Sequence, residues 1–474
     1  METITVFQMN DSHAYVEPHQ ELFWAGDRPA YERVGGMARA ASLIQEAREE
    51  DERVLALDCG DTLHGTYPAV STGGMGVVPV LNAMGLDAMT AHWEFAYGPS
   101  GLEEIMHSLD HPVLGINCHR ESGGTFLPPF LIREVGDLNV GVIGIASNIV
   151  DKTMPPSFSQ GLRFTLGREE LPGWIARVRE EADLVVVISH LGFPQDMRLA
   201  SEVEGIDVLL SGHTHDRLRS PARVNGTVII QSGCHASFLG RLDLTVEGGI
   251  REVSHRMEVL DGTVPFHPEV QARVDDLLDP HREMLSETVG RTGRGLHRYT
   301  IMGSSMDNLL LDAMMEATGA RVAFSNGWRY GAPVPPGPIT MNDLWNMVPV
   351  DPPVSTVELT GREIWEMMEG NLERTFSRDP YARMGGSVKR CAGLNLYFKV
   401  ENPSGWRIQE MFVGGKPLDP RERYTAAFVT EQGVPKGVGV DRRDLPLRAI
   451  DALRDHLEKH SPVSPGPRGS VVAV

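Results

Sequence analysis

Two histidines stand one residue apart directly after an apolar run of the sequence. His213 and His215 follow residues 208–210, which read Val-Leu-Leu, and Gly212 precedes the pair. Side chains alternate along an extended backbone, so the two imidazoles point to the same side. The pair is therefore a candidate clamp for a metal ion.

The same chemistry follows four other apolar, strand-like runs. The runs and the residues that follow them are 4–8 with Asp11 and His13, 54–57 with Asp61, Met89 with His92, and 185–188 with His190. Enzymes built on a sheet assemble their sites from the C-terminal ends of several strands. We therefore expect these side chains to meet at one sheet edge.

Together these positions form a mixed set of carboxylates and imidazoles: Asp11, His13, Asp61, His92, His190, His213 and His215. Such a set suits Zn, Mn, Fe or Co better than Ca or Mg. Seven ligands are too many for one tetrahedral site but suit two divalent ions, with Mn or Zn expected, that share a bridging carboxylate. Asp61 is the expected bridge, because the missing Cβ of Gly60 would let a metal approach.

The elements that must position these residues follow an alternating pattern. Strand-like runs alternate with helical patterns such as 39–50 and 169–181, which predicts an α/β domain with a mostly parallel or mixed sheet covered by helices. A chain of 474 residues is too long for one core, so a second domain is expected. The predicted divisions are a catalytic domain over 1–260, a linker and connecting helix over 261–296, a second domain over 297–460 and a disordered tail, rich in Pro, Ser and Gly, over 461–474.

Composition narrows the class of protein. A formal net charge of -20 argues against nucleic acid or an anionic membrane as the main partner. There is no apolar run long enough to span a membrane, and the first strand begins too early for a signal peptide. We therefore expect a cytoplasmic protein, or an extracytoplasmic one if a leader has been removed, with its four cysteines reduced.

The motifs occur in a familiar order. They are Asp11-Ser12-His13, Gly60-Asp61 with Gly65, the block ending at Glu94, the single His190, and Gly212-His213-Thr214-His215. This order resembles the calcineurin-like metallophosphoesterases. Residues 326–329 are similar to the C-terminal domain of the 5'-nucleotidase family, and the resemblance covers about residues 3–457. It implies a four-layer αββα sandwich followed by a 5'-nucleotidase-type C-terminal α/β domain.

The resemblance also implies how the ligands divide. One metal would be held by Asp11, His13, Asp61 and His215, and the other by Asp61, His92, His190 and His213. It implies a catalytic role for Asp61, His92 and Arg329. A core histidine beside an altered site is the alternative for His92.

The chain departs from the family in its active-site block. The family reads Gly-Asn-His-Glu-Phe-Asp, in which the His and Asp assist phosphoryl transfer, whereas this chain has His92, Trp93 and Ala96 at the Asn, His and Asp positions. This block resembles that of the thiosulfohydrolase SoxB, a two-manganese branch of the superfamily. An acid near the leaving group helps to expel an alkoxide by about 10²–10⁴-fold, and a thiolate leaves without one. We therefore expect a substrate with a good leaving group.

The resemblance suggests further residues that would bind the substrate. They are Asn117, Asn326, Gly327, Trp328, Arg329 and Arg390. Arg329 stands where the family has an arginine that receives the anionic group, and a guanidinium grips phosphate or sulfonate with two hydrogen bonds. A turn residue is an equal alternative for Asn117, and a surface or interdomain position is the alternative for Arg390. The two segments that carry the family's base-stacking aromatics lack them here.

Three functions remain open. The leading one is a dinuclear-metal hydrolase using metal-bound hydroxide, with SoxB-like S-sulfonate chemistry slightly favoured. A 5'-nucleotidase or general phosphomonoesterase or phosphodiesterase is the first alternative, and a catalytically weak metal- or anion-binding protein is the second. The expected partners are a small anionic substrate or a sulfur-carrier protein, without nucleic acid or membrane.

Overall fold

The chain forms two compact units in a computed structural model that describes residues 2–474. The first unit contains the chain up to Glu21 and then Glu32–His281, and the second contains Leu22–Tyr31 and Arg282–Val474. The predicted linker over 261–296 is therefore divided between the two units. Its helix joins the first unit because Val270 and Val274 are buried there.

Strands and helices alternate in the first part of the chain, as predicted. The strands are β1 (Glu2–Met9), β2 (His19–Ala25), β3 (Arg28–Val34), β4 (Val54–Asp58), β5 (Ala88–Met89), β6 (Cys118–Arg120), β7 (Phe130–Val135), β8 (Leu138–Ile145), β9 (Leu162–Phe164), β10 (Leu184–Ser189), β11 (Val208–Ser211), β12 (Ala222–Val224), β13 (Thr227–Ile230), β14 (Phe238–Val246) and β15 (Ile250–Val259). The helices are α1 (Met37–Glu50), α2 (Tyr67–Ser71), α3 (Val78–Met84), α4 (Gly98–Ser108), α5 (Val150–Thr153), α6 (Leu171–Arg179), α7 (Phe193–Glu202) and α8 (Pro268–Leu278).

Two sheets form the centre of the first unit. One has the order β15-β14-β1-β4-β5 and the other β12-β13-β11-β10-β8-β7. The strands that carry the motifs are parallel to one another within each sheet: β1 with β4, β4 with β5, and β10 with β11. The carboxyl ends of these strands therefore share one edge of each sheet.

The apolar run of β10 shows why the two sheets are stacked between helices. Val186 and Ile188 lie in the core between the sheets, with residues such as Leu55 of β4. Val185 and Val187 point the other way and pack with Ile175 of α6 and with α7. Because both faces of the strand are buried, its sequence is continuously apolar. With α1 packed on β4 on the outer side of the other sheet, the layers are helix, sheet, sheet and helix, which confirms the predicted αββα sandwich.

The second unit has its own sheets and core. Its strands are β16 (Thr288–Thr292), β17 (Val322–Ser325), β18 (Gly337–Thr340), β19 (Pro353–Thr360), β20 (Arg390–Ala392), β21 (Leu394–Phe398), β22 (Ile408–Val413), β23 (Lys416–Pro417), β24 (Arg423–Phe428), β25 (Val440–Arg448) and β26 (Val471–Ala473). Its helices are α9 (Arg282–Ser286), α10 (Ser305–Thr318), α11 (Met341–Met347), α12 (Gly361–Phe376), α13 (Thr430–Gly433) and α14 (Ala449–His460). A sheet of order β20-β17-β24-β19-β25 packs with α12 around Phe324, Met368 and Tyr424.

The end of the chain is ordered, so the prediction of a disordered tail over 461–474 is wrong. β26 pairs in parallel with β21, and Val463 bridges to Thr292. Val463 and Val471 are buried. Pro, Ser and Gly dominate the composition of this segment. The burial of its two valine side chains nevertheless holds it against the rest of the unit.

Membrane insertion was not expected from the sequence. Among residues 2–474 no helix combines the length and the apolar character that crossing a membrane requires.

Candidate metal centre

The seven predicted ligands follow the carboxyl ends of five strands in the first unit. Asp11 and His13 come after β1, Asp61 after β4, His92 after β5, His190 after β10, and His213 and His215 after β11. The structure brings all seven together in two neighbouring groups. The groups divide the residues as the resemblance does, except that Asp61, which it assigns to both metals, falls within the first group only.

The first group consists of Asp61, His92, His190 and His213, all buried, with ligand atoms within 4.8 Å of one another. Asp61 Oδ2 lies 2.9 Å from His92 Nδ1 and 3.1 Å from His190 Nε2. The ring of His213 lies 4.9 Å from that of His92 between centroids. Three imidazoles therefore surround one carboxylate oxygen.

The second group consists of Asp11, His13 and His215, whose ligand atoms also lie within 4.8 Å of one another. His215 Nε2 is 3.2 Å from Asp11 Oδ1 and 3.2 Å from His13 Nε2. Asp61 Oδ2 is 3.9 Å from His13 Nε2. Asp61 therefore lies between the two groups, where a bridging carboxylate must lie.

Backbone conformation distinguishes these residues from most others in the chain. Five of the seven have a positive φ, which side chains with a Cβ adopt only at a cost: Asp11 at 49°, His13 at 48°, Asp61 at 59°, His213 at 72° and His215 at 59°. Such conformations persist where the surroundings fix them, and they concentrate at functional sites. The strand ends are therefore bent to direct these side chains inward.

Hydrogen bonds hold the bent turns in place. The Asn10 side-chain amide donates to Asp11 Oδ2 at 2.7 Å. The Trp93 backbone N–H donates to Asp61 Oδ1 at 2.8 Å. The carboxylate of Glu94 accepts from the backbone N–H groups of Thr62 at 2.6 Å and of His92 at 2.7 Å, so it ties two ligand-bearing turns together. Sequence reasoning noted Glu94 only as the end of a motif and passed over Asn10.

Gly60 serves a different purpose from the one predicted. Its φ is 85°, and a Cβ at this position would stand 2.8 Å from the carbonyl oxygen of Thr90. The missing side chain lets the ends of β4 and β5 approach each other. The prediction that it leaves room for a metal is therefore corrected.

The electrostatics of the site favour bound cations. Burial alone would raise the pKa of Asp11, but His215 and His190 outweigh it and hold this pKa at about 2. Burial would lower the pKa of His190, but Asp61 and Asp11 raise it to about 9. The two buried carboxylates thus attract protons onto a neighbouring imidazole. A divalent cation bound by the same side chains would displace such protons, because metal binding to protein ligands generally releases protons.

The donors fit a divalent transition metal. His190 Nδ1 lies 2.5 Å from the carbonyl oxygen of Cys59, which fixes the ring so that Nε2 faces Asp61, the usual arrangement for a histidine ligand. His92 Nε2 is buried without a hydrogen-bond partner, and a nitrogen in that state is costly unless something binds it. Carboxylate oxygens and imidazole nitrogens are the donors that Zn and Mn accept.

Trp93 stands where the resemblance would place a catalytic histidine. Its ring is buried and stacks on His64, with centroids 4.7 Å apart and an interplanar angle of 21°. Burial lowers the pKa of His64 to about 4, so this imidazole is neutral at neutral pH. The pair therefore forms an apolar wall beside the ligands.

The segment 326–329 of the second unit is fixed by a close backbone approach. A Cβ on Gly327 would stand 2.1 Å from the carbonyl oxygen of Ser387, and the Ser387 N–H donates to Gly327 O at 2.7 Å. Asn326 and Arg329 remain partly exposed. Trp328 is buried and its indole N–H donates to Gln432 at 3.0 Å, so its ring packs within the protein rather than offering an open surface.

Two predicted substrate residues have structural roles instead. The Asn117 side chain donates to the carbonyl oxygens of Ala146 and Thr165 at 2.8 and 2.9 Å and accepts from the Ala146 N–H. The side-chain amide of Asn117 therefore binds backbone groups, which agrees with the alternative interpretation of Asn117 as a turn residue. Arg390 is 2% exposed and lies 3.3 Å from Asp307. It also donates to the carbonyl oxygen of Ile301 at 2.7 Å, so it is a buried cation of the second unit and neither a substrate nor a surface residue.

Comparisons with known proteins agree with this architecture. Residues 287–430 match the family described as the 5'-nucleotidase, C-terminal domain. The fold is similar to that of the sulfate thiohydrolase SoxB of Thermus thermophilus, with a TM-score of 0.91, 27% identity and coverage of 99% of this chain and 96% of that one. A 5'-nucleotidase precursor of Thermus thermophilus shares the fold with a TM-score of 0.88 at 22% identity, over 100% of this chain and 99% of that one.

Curated relatives extend the same pattern. The trifunctional nucleotide phosphoesterase YfkN of Bacillus subtilis is 25% identical over 86% of this chain, although the match spans only 30% of that longer protein. The chain is similar along most of its length to proteins of the 5'-nucleotidase superfamily. Another relative is a snake venom 5'-nucleotidase of Naja atra, 23% identical over 86% of this chain and 84% of that protein.

Proposed function

We propose that this protein is a metal-dependent hydrolase that releases sulfate from an S-sulfonated thiol, or cleaves a similar small anionic ester with a good leaving group. The observation that carries the proposal is Trp93. It fills the position of the general acid and stacks on His64, which burial keeps neutral. A centre without that acid is suited to a thiolate or another group that departs without a proton.

The chain's own residues divide the remaining work. Asp11, His13 and His215 would hold one divalent ion, and His92, His190 and His213 the other, with Asp61 shared between them. When bound, two such ions activate water and stabilise the charge of an in-line displacement. Glu94 and Asn10 keep the ligand turns in register, so little has to reorganise when substrate binds.

Arg329 is the proposed anion-binding residue of the second unit. It is partly exposed, and its neighbour Gly327 is locked against Ser387. A guanidinium held on a fixed turn can grip a sulfonate or phosphate group with two hydrogen bonds. Replacement by alanine should therefore raise KM more than it lowers kcat, because such an interaction is made in the bound ground state as well.

Nucleotide hydrolysis is the second candidate, and the comparisons give it specific support. The C-terminal family model and the venom relative both carry the name 5'-nucleotidase. The likeness to SoxB, at 27% identity, supports the sulfur chemistry. Manganese or zinc, a cytoplasmic location, and a small anion or a sulfur-carrier protein as the partner belong to the same proposal.

The test compares two substrates on one metal-quantified sample. Sulfate release from an S-sulfonated thiol and phosphate release from AMP are measured as kcat/KM, with the Asp61→Asn variant as the blank for contaminating activity. Preferential sulfate release supports the proposal. Preferential phosphate release would show that the metals and Arg329 suffice for a nucleotidase and would overturn it.

A further inference from the structure

A second cluster of metal-binding side chains lies in the first unit, outside the seven proposed ligands. It consists of His19 on β2, Glu21 on the same strand and His235 in the turn before β14. Their ligand atoms lie within 4.8 Å of one another. Glu21 and His235 are fully buried and His19 is partly buried.

His235 has the same features as the proposed ligands of the main centre. Its φ is 61°, and its backbone N–H donates to the carbonyl oxygen of Asp11 at 2.7 Å, which fixes the turn. Nδ1 lies 3.4 Å from Cys234 Sγ and 3.5 Å from Glu21 Oε2. Nε2 is buried without a hydrogen-bond partner, a costly state for a polar atom.

His19 is held against this pair by a close packing contact. A Cβ on Gly35 would stand 2.7 Å from His19 Cε1, so only glycine leaves room for the ring. His19 Nε2 lies 3.1 Å from the hydroxyl of Ser237, which donates to Glu21 Oε2 at 3.0 Å. The imidazole and the carboxylate thus approach the same small volume from two sides.

Charge at the cluster is compatible with a cation. Arg217 pairs with Glu21 Oε1 at 2.9 Å, whereas Oε2 faces the two imidazoles. The cluster lies beside the main centre, since the ring of His235 is 6.0 Å from that of His215 and 6.1 Å from that of His13 between centroids, but its ligand atoms form a distinct group. Two imidazoles and one carboxylate are a common zinc set with a fourth position open.

We propose that His19, Glu21 and His235 bind a third divalent cation of the zinc class, beside the two-metal centre. This ion would join β2 to the turn that precedes β14 and, through the His235 N–H, support the backbone at Asp11. None of its three ligands belongs to the seven of the main centre.

Metal content measured by mass spectrometry tests the proposal. Wild type, His19→Ala, His235→Ala and His107→Ala are equilibrated with Zn²⁺ and desalted. His107 is an exposed histidine of α4 and serves as the matched control. We expect three ions per chain in wild type and in the control, and two in each of the other variants. Asp61→Asn is expected to lose ions of the main centre and to keep the one held by His19, Glu21 and His235.

Glu21→Gln is a second test variant, which is needed if the His235→Ala protein does not fold. The amide keeps the size of the side chain but lowers its charge, so titration calorimetry with Zn²⁺ should show the third ion bound at least about tenfold more weakly, as expected for a lost ligand. Two ions in wild type, or unchanged metal content in the His19 and Glu21 variants, would overturn the proposal and identify the cluster as a hydrogen-bond network. Neither outcome depends on catalysis, so failure here is distinguishable from failure of the proposed sulfate release.

Discussion

Asp61 Oδ2 lies between the two groups of ligand side chains, close to His92 and His190 and 3.9 Å from His13 Nε2. Burial would raise the pKa of Asp61, but His92 and His190 hold it well below its ordinary value. The carboxylate is therefore ionised at neutral pH. A charged, buried oxygen between two groups of imidazoles is best stabilised by cations on both sides.

Asp61→Asn should remove metal from both positions. The amide has the same size but no charge, so metal content should fall and kcat/KM should drop by more than about 100-fold, because loss of an outer-shell partner alone costs about 10–100-fold. Asp137→Asn, at an exposed turn position, is the matched control and should behave as wild type. Normal metal content in Asp61→Asn would contradict the bridging role.

Trp93 permits a gain-of-function prediction. The double variant Trp93→His with Ala96→Asp restores an imidazole and a carboxylate at the family positions, so AMP hydrolysis should rise relative to S-sulfonate cleavage by about 10²-fold or more. Trp93→Phe keeps an aromatic ring without an acid and should show no such rise. An unchanged ratio of the two kcat/KM values in the double variant would mean that the leaving group does not explain the substitution.

At the scale of secondary structure, the carboxyl ends of β1, β4, β10 and β11 position ligands of the candidate metal centre. β4, β10 and β11 are buried on both faces and mostly apolar, and all four strands stop at a turn where polar side chains can gather. In the second unit, a buried lysine joins two secondary-structure elements. Lys389, just before β20, donates through Nζ to the carbonyl oxygen of Gly433 in α13 at 2.8 Å.

Lys389 should make stability depend on pH. Burial, with a contribution from Arg374, lowers its pKa to about 7 from the ordinary 10.5. Between these values the unfolded chain binds a proton that the folded chain lacks, so the free energy of unfolding should rise with pH by up to about 1.4 kcal/mol per unit. Below about pH 7 both states are protonated and the slope should vanish.

The measurement is denaturant unfolding of wild type and Lys389→Met across this window. The difference in unfolding free energy between them should move in favour of wild type as pH rises. Lys416→Met, at an exposed position of β23, should track wild type throughout. A difference that is flat from pH 7 to about 10 would show that Lys389 keeps its charge in the folded state.

At the scale of the whole molecule, each unit has a separate hydrophobic core, and all the proposed ligands lie in the first. Metal removal by a chelator should therefore lower the unfolding temperature of one calorimetric transition only. Saturation at about 100 times Kd contributes about 2.7 kcal/mol, which corresponds to a shift of about 5–10 °C for a unit of this size.

Asp61→Asn is the control for this experiment, because a chain without the two-metal centre should respond much less to the chelator. A chelator shift of equal size in both transitions would mean that the ions stabilise the second unit as well. It would then contradict the assignment of the ions to the first unit.

Much of the fold and of the candidate centre could be predicted from the sequence. Apolar runs bounded by Gly, Asp and His mark strands that are buried on both faces, and β10 and β11 begin and end within about one residue of the predicted runs. Helical periodicity located α1 and α6 to within two residues at each end. These signals are local, because the period of a strand or a helix is written in neighbouring residues.

The sequence by itself determined which residue types could bind metal and in what chain order they occur. Only the tertiary structure decided which of them meet, because residues 11 and 215 come together only when two sheets stack. It also decided that Asn117 and Arg390 serve the backbone and a buried carboxylate, and that residues 471–473 form a strand. Hydrogen-bond partners and burial belong to the folded chain, and no spacing in the sequence specifies them.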